Sequence, residues 1–320
     1  MSDVGAPQTA GHGAARAEPA HPDAARPDAA RPEPAAPRRE LAPPRTVRRP
    51  LSWRAEARRQ LRRRRTLWSF GVLLALPLIM VLAFALGDGE GDDGAGGAPR
   101  FVDLATTGSA NFTIFTVFAT ADLLLVILAA LFVGDTVPSE ASWSTLRYLL
   151  AAPVARARLL TSKLVVGLAS TGAAVVLLAV WALLVGGLAY GWQGFTGPTG
   201  TGLPWGTFLV RMALVLAYLW VTVLQVAALA FLLGVRTDAP LAAVGGAVLV
   251  VIVSSILDAI DTLGDLRQAL PMHWSRAWTD LLVPVVDWTD LRRGVLWSLL
   301  WTVVLLALAY RHFGRKDVQS

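Results

Sequence analysis

The chain has 320 residues, of which 54% are hydrophobic and 16% are charged, and its formal net charge is +6. A typical soluble domain is about 45–50% apolar and about 25% charged, so this composition excludes an ordinary soluble domain. Basic residues are concentrated at the start, since 15 of the 29 Lys and Arg residues lie within residues 1–66. The apolar stretches that follow are longer than ordinary core helices need. The composition therefore indicates a membrane protein with a basic tail.

Metal, thiol and nucleic-acid chemistry receive little support from the sequence. The chain has no cysteine, which excludes disulfides, thiolate catalysis and cysteine-based metal sites. Its 4 histidines lack ligand spacing, so we expect no metal site and no bound cofactor. The basic charge is typical of nucleic-acid binding, but no base-stacking or groove-reading module accompanies it. Arginines before a first span fit anionic headgroups instead, so we expect membrane lipid, and not nucleic acid, as a partner.

The region before the first apolar stretch has two parts. Residues 1–50 are mainly Ala, Pro, Arg and Gly, and they cannot bury enough apolar surface to offset their conformational entropy. They are predicted to be a disordered cytoplasmic tail. In residues 51–66, Trp53, Ala57 and Leu61 recur at four-residue spacing among arginines. This pattern predicts an amphipathic helix lying on the cytoplasmic membrane surface.

The remainder of the chain, within residues 51–320, is predicted to be one all-α transmembrane domain with six spans. At about 1.5 Å per residue, each apolar stretch can cross a hydrocarbon core about 30 Å thick. Residues 258–294 form a mixed segment before the last span, and residues 266–294 within it are expected to lie along the outer interface. The predicted spans are about residues 67–86, 112–133, 164–190, 207–234, 240–257 and 295–313.

Charge asymmetry predicts the orientation of the spans. If both termini are cytoplasmic, the cytoplasmic segments hold 23 Lys and Arg residues and the outer segments hold 6. Cytoplasmic loops are normally the more basic ones. We therefore expect a multi-pass protein of the cell membrane with its N and C termini in the cytoplasm.

The segment between the second and third spans is the most informative one. Ser139 can cap a short helix, Trp143, Leu146 and Leu150 form an apolar stripe, and Pro153 ends it. A short amphipathic helix held on the cytoplasmic face by two spans is suited to a groove on another protein. It is equally suited to lying on the membrane surface without a partner, and periodicity alone leaves both interpretations open.

The amino-acid sequence of this segment resembles that of the cytoplasmic loop of ABC-2 type permeases. That family carries an acidic residue, then Gly-Thr-Leu, paired leucines, Pro-x-x-Arg and a lysine that opens the next span. This sequence departs from it at Ser144, where glycine is usual, and at Ala155, where serine is frequent. The matching residues are Glu140, Thr145, Leu146, Leu149, Leu150, Pro153, Arg156 and Lys163.

The resemblance implies a permease subunit that pairs with a second permease subunit as a homo- or heterodimer and acts as an exporter. ABC ATPase subunits, which hold ATP and Mg, would dock beneath the pair, and residues 137–158 would be the coupling helix. The chain has no Gly-x-x-x-x-Gly-Lys-Ser/Thr motif, so we expect no enzyme activity and no catalytic residue in it, and hydrolysis in a separate polypeptide. The candidate docking residues are Glu140, Thr145, Leu146, Arg147, Pro153 and Arg156.

Polar residues within the spans suggest a translocation path. Asp122 lies midway along the second predicted span and Gln225 lies within the fourth. An intramembrane carboxylate is costly and indicates function by default, although a hydrogen bond between helices is also possible for either residue. Two alternatives therefore stay open: an ion-coupled secondary transporter that uses Asp122, and a non-transporting membrane anchor. The transported substrate is not readable from the sequence.

Overall fold

The computed structural model describes residues 53–87, 101–139, 156–198, 200–237 and 239–315. The predicted disordered tail and residues 140–155 of the predicted coupling segment lie outside the described residues. In the described part the chain is mainly helical, which confirms the all-α class, apart from a hairpin in which β1 (Phe195–Thr196) pairs antiparallel with β2 (Gly202–Leu203).

Nine α-helices and two 3₁₀ helices are present in the described part of the chain. The 3₁₀ helices, Asp261–Ala269 and Ala277–Leu282, lie between the last two α-helices. In chain order, the α-helices are α1 (Trp53–Leu61), α2 (Arg64–Gly87), α3 (Phe101–Ala105), α4 (Ser109–Ala121), α5 (Leu124–Gly134), α6 (Arg156–Tyr190), α7 (Trp205–Arg236), α8 (Pro240–Asp258) and α9 (Trp288–Arg315).

Five of these helices, α2, α6, α7, α8 and α9, are long and apolar enough to cross a membrane. The bent pair α4 and α5 provides a sixth crossing if the two count as one span. The chain is therefore a multi-pass helical membrane protein. The first, third, fourth, fifth and sixth predicted spans are confirmed as helices, and most extend a few residues further into polar flanks, because helical hydrogen bonding continues beyond the apolar stretch.

The second predicted span is not one continuous helix. α4 ends at Ala121, α5 begins at Leu124, and their axes differ by 56°. Leu123 has a backbone conformation outside the helical region, with φ −122° and ψ −59°. Before the break, Thr116 and Thr120 each donate a hydroxyl hydrogen bond to the carbonyl four residues earlier, and such back-bonding tends to bend helices.

The two ends of the helical bundle are distinguishable by their neighbours. At the hairpin end, the Asn111 side chain at the start of α4 bonds both the N–H and the C=O of Thr196 in β1. At the opposite end, here called the α1 end, α5 finishes and α6 begins close to α1. α7 runs from Trp205 beside the hairpin to Arg236 near the α1 end, so positions along the bundle can be described by the residues of α7 beside them.

The core centres on α7. In its most apolar window 61% of the residues are buried, whereas 11% are buried in that of α2. Small residues bring α5 and α7 together near the α1 end, where a methyl group added to Gly234 would lie 2.5 Å from the Gly134 carbonyl oxygen. Such close approaches are how membrane helices gain packing contacts. α2 therefore lies at the periphery and α7 at the centre.

Candidate functional site

The predicted coupling segment follows a run of buried residues and precedes a long helix. Residues 134–139, just before it, are all buried, and α6 begins at Arg156, just after it. Of the candidate docking residues, Glu140, Thr145, Leu146, Arg147 and Pro153 lie outside the described residues, and Arg156 is the first residue of α6. The described site therefore consists of the residues that flank this segment and of the side chains that contact them.

A buried ion pair joins α1 to α6. The Lys163 Nζ lies 3.1 Å from Glu56 Oε1, and the two side chains are 1% and 3% exposed. Lys163 is thus buried within the protein at the contact between α1 and α6. A buried charge is costly unless it is paired, so each of these residues fixes the position of the other.

The same face of α1 also contacts α5. The Gln60 amide donates a hydrogen bond of 3.0 Å to the Phe132 carbonyl, and Gln60 is 4% exposed. α1 therefore packs on the bundle through Glu56 and Gln60, whereas Leu61 of the predicted apolar stripe is 55% exposed. The periodicity predicted where the helix lies in the chain. The side of the helix that faces the protein is polar because it contacts a lysine side chain and a backbone carbonyl.

Arg63, between α1 and α2, and Arg65, in the first turn of α2, contact the residues at the end of α5. The Arg65 guanidinium lies 2.7 Å from Asp135 Oδ1, and that of Arg63 lies 3.5 Å from Asp135 Oδ2. Arg63 also donates a hydrogen bond of 3.3 Å to the Ser139 hydroxyl. Burial raises the pKa of Asp135 above its ordinary value, although the charges of Arg65 and Arg63 lower it. These contacts and those of Glu56 and Gln60 form what we call the clamp: Glu56, Gln60, Arg63, Arg65, Asp135, Ser139 and Lys163.

Asp122 occupies the break between α4 and α5 and is not isolated. The Arg276 side chain donates to its Oδ2 through Nε at 2.9 Å and through Nη2. The guanidinium carbon of Arg276 also lies 5.9 Å from the centroid of the Phe118 ring. The two charged side chains are 41% and 67% exposed on the described surface. The carboxylate predicted from the sequence therefore has a basic partner 154 residues away.

The connection between α8 and α9, residues 259–287, is here called the return segment. It contacts α7 and α8 of the helical bundle through hydrogen bonds, and its expected position along the outer interface stays a prediction. Met272 N donates to Ser254 Oγ in α8, and Gly264, with φ +52°, is among the residues that let the chain reverse after α8. Non-helical backbone within a membrane needs hydrogen-bond partners that the protein supplies.

α7 supplies those partners through three polar side chains at seven-residue spacing, here called the polar ladder. Gln225 donates to the Pro271 carbonyl at 2.8 Å and Tyr218 donates to the Trp274 carbonyl at 2.6 Å. Arg211 donates to the carbonyls of Leu281, Val283 and Pro284. Fourteen residues of α7 span about 21 Å, so the return segment follows α7 over that distance.

The candidate path residues are not brought together by this arrangement. Gln225 is 3% exposed, and its amide nitrogen is used by the return segment. Asp122 belongs to a different contact with the same segment. Among the described residues, no group of three or more His, Asp or Glu side chains is placed to hold a metal ion.

Comparison with known protein families gives a match to this chain. A family described as "Protein of unknown function (DUF2705)" matches residues 78–319, which is well over half of the chain. The chain belongs to this DUF2705 family. No curated protein matches it.

The DUF2705 match begins within α2 and includes every later helix. Lys163, Asp122 and Arg276 therefore lie within the shared region, whereas Glu56 and the rest of α1 precede it. The family match thus includes the α6 side of the clamp and all of the polar ladder.

Sequence reasoning missed Glu56, Tyr218 and Arg276 as site residues of this DUF2705 protein. One available signal was the seven-residue spacing of Arg211, Tyr218 and Gln225, which puts three polar groups on one face of an otherwise apolar helix. No comparable signal exists for Glu56 and Lys163, which are 107 residues apart.

Proposed function

We propose that this chain is the membrane-spanning permease subunit of an ATP-driven ABC transporter of the ABC-2 type, working as an exporter. Two permease subunits, as a homo- or heterodimer, form the transport path. Separate ATPase subunits bind ATP and Mg and contact residues 137–158. The observation that carries the proposal is the clamp, which holds both flanks of residues 140–155 against the bundle.

Coupling to a motor needs a rigid connection between the surface that is pushed and the helices that move. The segment before residue 140 is held through Asp135 and Ser139, and α6 after residue 155 is held through Lys163. All of these contacts lead to α1 or to the residues that follow it directly. A force applied to residues 140–155 would therefore reach α1, α5 and α6 together.

The orientation in this proposal places the α1 end in the cytoplasm. Arg58, Arg59 and Arg62 lie at that end, and cytoplasmic flanks are normally basic. Leu61, exposed beside them, would face lipid, as expected for a helix near the membrane surface. The hairpin end would then face outward.

The contact of two Arg276 nitrogens with Oδ2 of Asp122 weighs against an ion-coupled transporter built on Asp122. A carboxylate that carries an ion or a proton must exchange its partner with solvent, whereas this one is occupied by a guanidinium. Asp122 is kept in the proposal as a residue beside the path because its side chain is 41% exposed. Gln225 is assigned to holding the return segment.

The proposal is tested by purifying the tagged chain from its own host membranes in a mild detergent. We expect an ATPase with a Walker A motif to be recovered in about equal amount, and vanadate-sensitive ATP hydrolysis in the sample. Recovery of a folded chain without any ATPase after gentle cross-linking would favour the alternative of a non-transporting anchor.

A further inference from the structure

A cavity of about 360 Å³ lies at the hairpin end of the bundle. α3 and α4 form one wall, the hairpin forms a second, and the return segment forms a third. Its volume falls within the range of about 300–1,000 Å³ that is usual for small-molecule sites. The apolar side chains that define it are Ile114, Phe115 and Phe118 of α4, Phe195 of β1, and Trp278 and Leu282 of the return segment.

Polar atoms around this cavity are already bonded to protein. The Asn111 amide donates to the Thr196 carbonyl at 2.7 Å and accepts from the Thr196 N–H at 2.9 Å. The Thr279 hydroxyl donates to the Arg276 carbonyl at 2.9 Å. A polar ligand would lose its hydrogen bonds to water on entering and would find few replacements here. Apolar cavities instead stay dry and accept apolar ligands.

The cavity has a direction relative to the bundle. Asn111 lies at the hairpin end, and Phe118 lies seven residues further along α4, which is about 10 Å deeper. The Arg276 guanidinium, paired with Asp122, lies 5.9 Å from the centroid of the Phe118 ring at the deeper end of the cavity. Phe118 and Val283 are 38% and 46% exposed, so the wall is open to the side, where lipid chains surround a membrane-spanning bundle.

We propose that this cavity binds one hydrocarbon chain of a membrane lipid from the leaflet at the hairpin end. The headgroup stays in water at the hairpin end, and the part of the chain inside the cavity lies between the levels of Asn111 and Phe118. A reversed lipid would bury its headgroup in an apolar cavity, which costs several kcal/mol. The inference goes beyond the proposed function, because chain binding requires no ATPase.

Photocross-linking from inside the cavity tests the inference. The photoreactive residue p-benzoylphenylalanine replaces Phe115, and the purified chain in mild detergent is titrated with a phospholipid that carries an alkyne-tagged palmitoyl chain. The matched control carries the same residue at Val210, which is 64% exposed at a similar depth on α7 and does not line the cavity. We expect saturable labelling at position 115 near one lipid per chain, and weaker labelling at position 210 that rises without saturation.

A second pair of variants separates cavity binding from general lipid contact. In the position-115 background, Ile114→Trp fills the cavity and is expected to lower labelling several-fold. Leu188→Trp, at a residue 84% exposed on α6, is expected to leave it unchanged. Equal labelling at positions 115 and 210 overturns the inference, and so does cross-linking of position 115 to residues 88–100 of the same chain in place of lipid. Because labelling of the cavity by lipid requires neither ATP nor a bound ATPase, its failure would leave the proposed function standing.

Discussion

Lys163 and Glu56 form a nearly solvent-free ion pair, 3.1 Å apart, between a long membrane-spanning helix and the short helix that precedes the first span. The pair lies beside the carbonyl of Phe132, where Gln60 attaches the same short helix to α5. α1 is therefore an integral part of the bundle base. Its removal would expose one buried charge and one buried carbonyl.

Breaking this pair from one side should be strongly destabilising. In Lys163→Met the Glu56 carboxylate stays buried without its lysine, and such losses typically amount to about 3–5 kcal/mol. The double variant Glu56→Gln, Lys163→Met removes both charges and should recover most of that loss. Thermal unfolding in detergent of the wild type, the two single variants and the double variant measures the coupling. Additive losses would show that the two residues do not interact.

Gly294 should not tolerate a methyl group. A Cβ at Gly294 in α9 would collide with the Tyr218 hydroxyl and lie 3.0 Å from Trp274 Cβ. Gly294→Ala should therefore displace Tyr218 from the Trp274 carbonyl and lower the unfolding temperature by several degrees. Gly245→Ala is the matched control, because no atom lies within 4 Å of its added methyl group, and a helical Gly→Ala change typically adds about 0.5–1 kcal/mol. Equal effects of the two substitutions would contradict the close contact between α9 and α7.

Arg211 should hold the last part of the return segment against α7. Its guanidinium donates hydrogen bonds to three nearby backbone carbonyls, those of Leu281, Val283 and Pro284. A methionine side chain cannot donate these bonds. In the cysteine-free chain, a single cysteine at Val283 is expected to react with a maleimide several-fold faster in Arg211→Met than in the parent. The control Arg236→Met, at the other end of the same helix, should leave the rate unchanged. No change in Arg211→Met would show that the segment is held by other contacts.

Asp135 should make part of the stability depend on pH. Its pKa is raised in the folded chain, chiefly by burial, so the folded state binds the proton more tightly than the unfolded state does. Stability contributed by this group is therefore lost as the pH rises from the unfolded value of about 3.9 through the raised folded pKa. Asp135→Asn cannot titrate, so its melting temperature should gain on the wild type as the pH rises from about 4 to 7. A difference in melting temperature between Asp135→Asn and the wild type that stays constant with pH would contradict the raised pKa of Asp135.

Much of the architecture was predictable because lipid constrains it directly. Apolar length located α2, α6, α7, α8 and α9, since each must satisfy its backbone hydrogen bonds within one segment. The break at Leu123 was not predictable, because threonine back-bonding and the Asp122 contact with Arg276 act against an unbroken apolar pattern. The hydrogen bonds between the return segment and α7 were not predictable for a related reason: the mixed composition of the segment indicates an interface, and nothing local shows that the donors to its carbonyls lie on α7.

The candidate site was predictable only in outline. The apolar pattern and the family resemblance of residues 137–158 indicated a coupling segment. The contacts that hold the residues beside this segment, however, join residues that are distant in sequence. Glu56 and Arg65 belonged to a segment interpreted as a surface helix, and nothing local indicates that Lys163 and Asp135 receive them. Hydrophobic periodicity identifies which face of a helix avoids water, but it cannot identify which polar group finds a buried partner.

The most direct test of the permease assignment is photocross-linking from the coupling segment itself. p-Benzoylphenylalanine is introduced at Leu146 and, as a control, at Val303, which is 64% exposed on α9. Irradiation in native membranes is followed by mass spectrometry of the adducts. The proposed function predicts that position 146 captures a Walker A ATPase and that position 303 does not. Capture of lipid alone at position 146, with no ATPase in any adduct, would contradict the permease assignment.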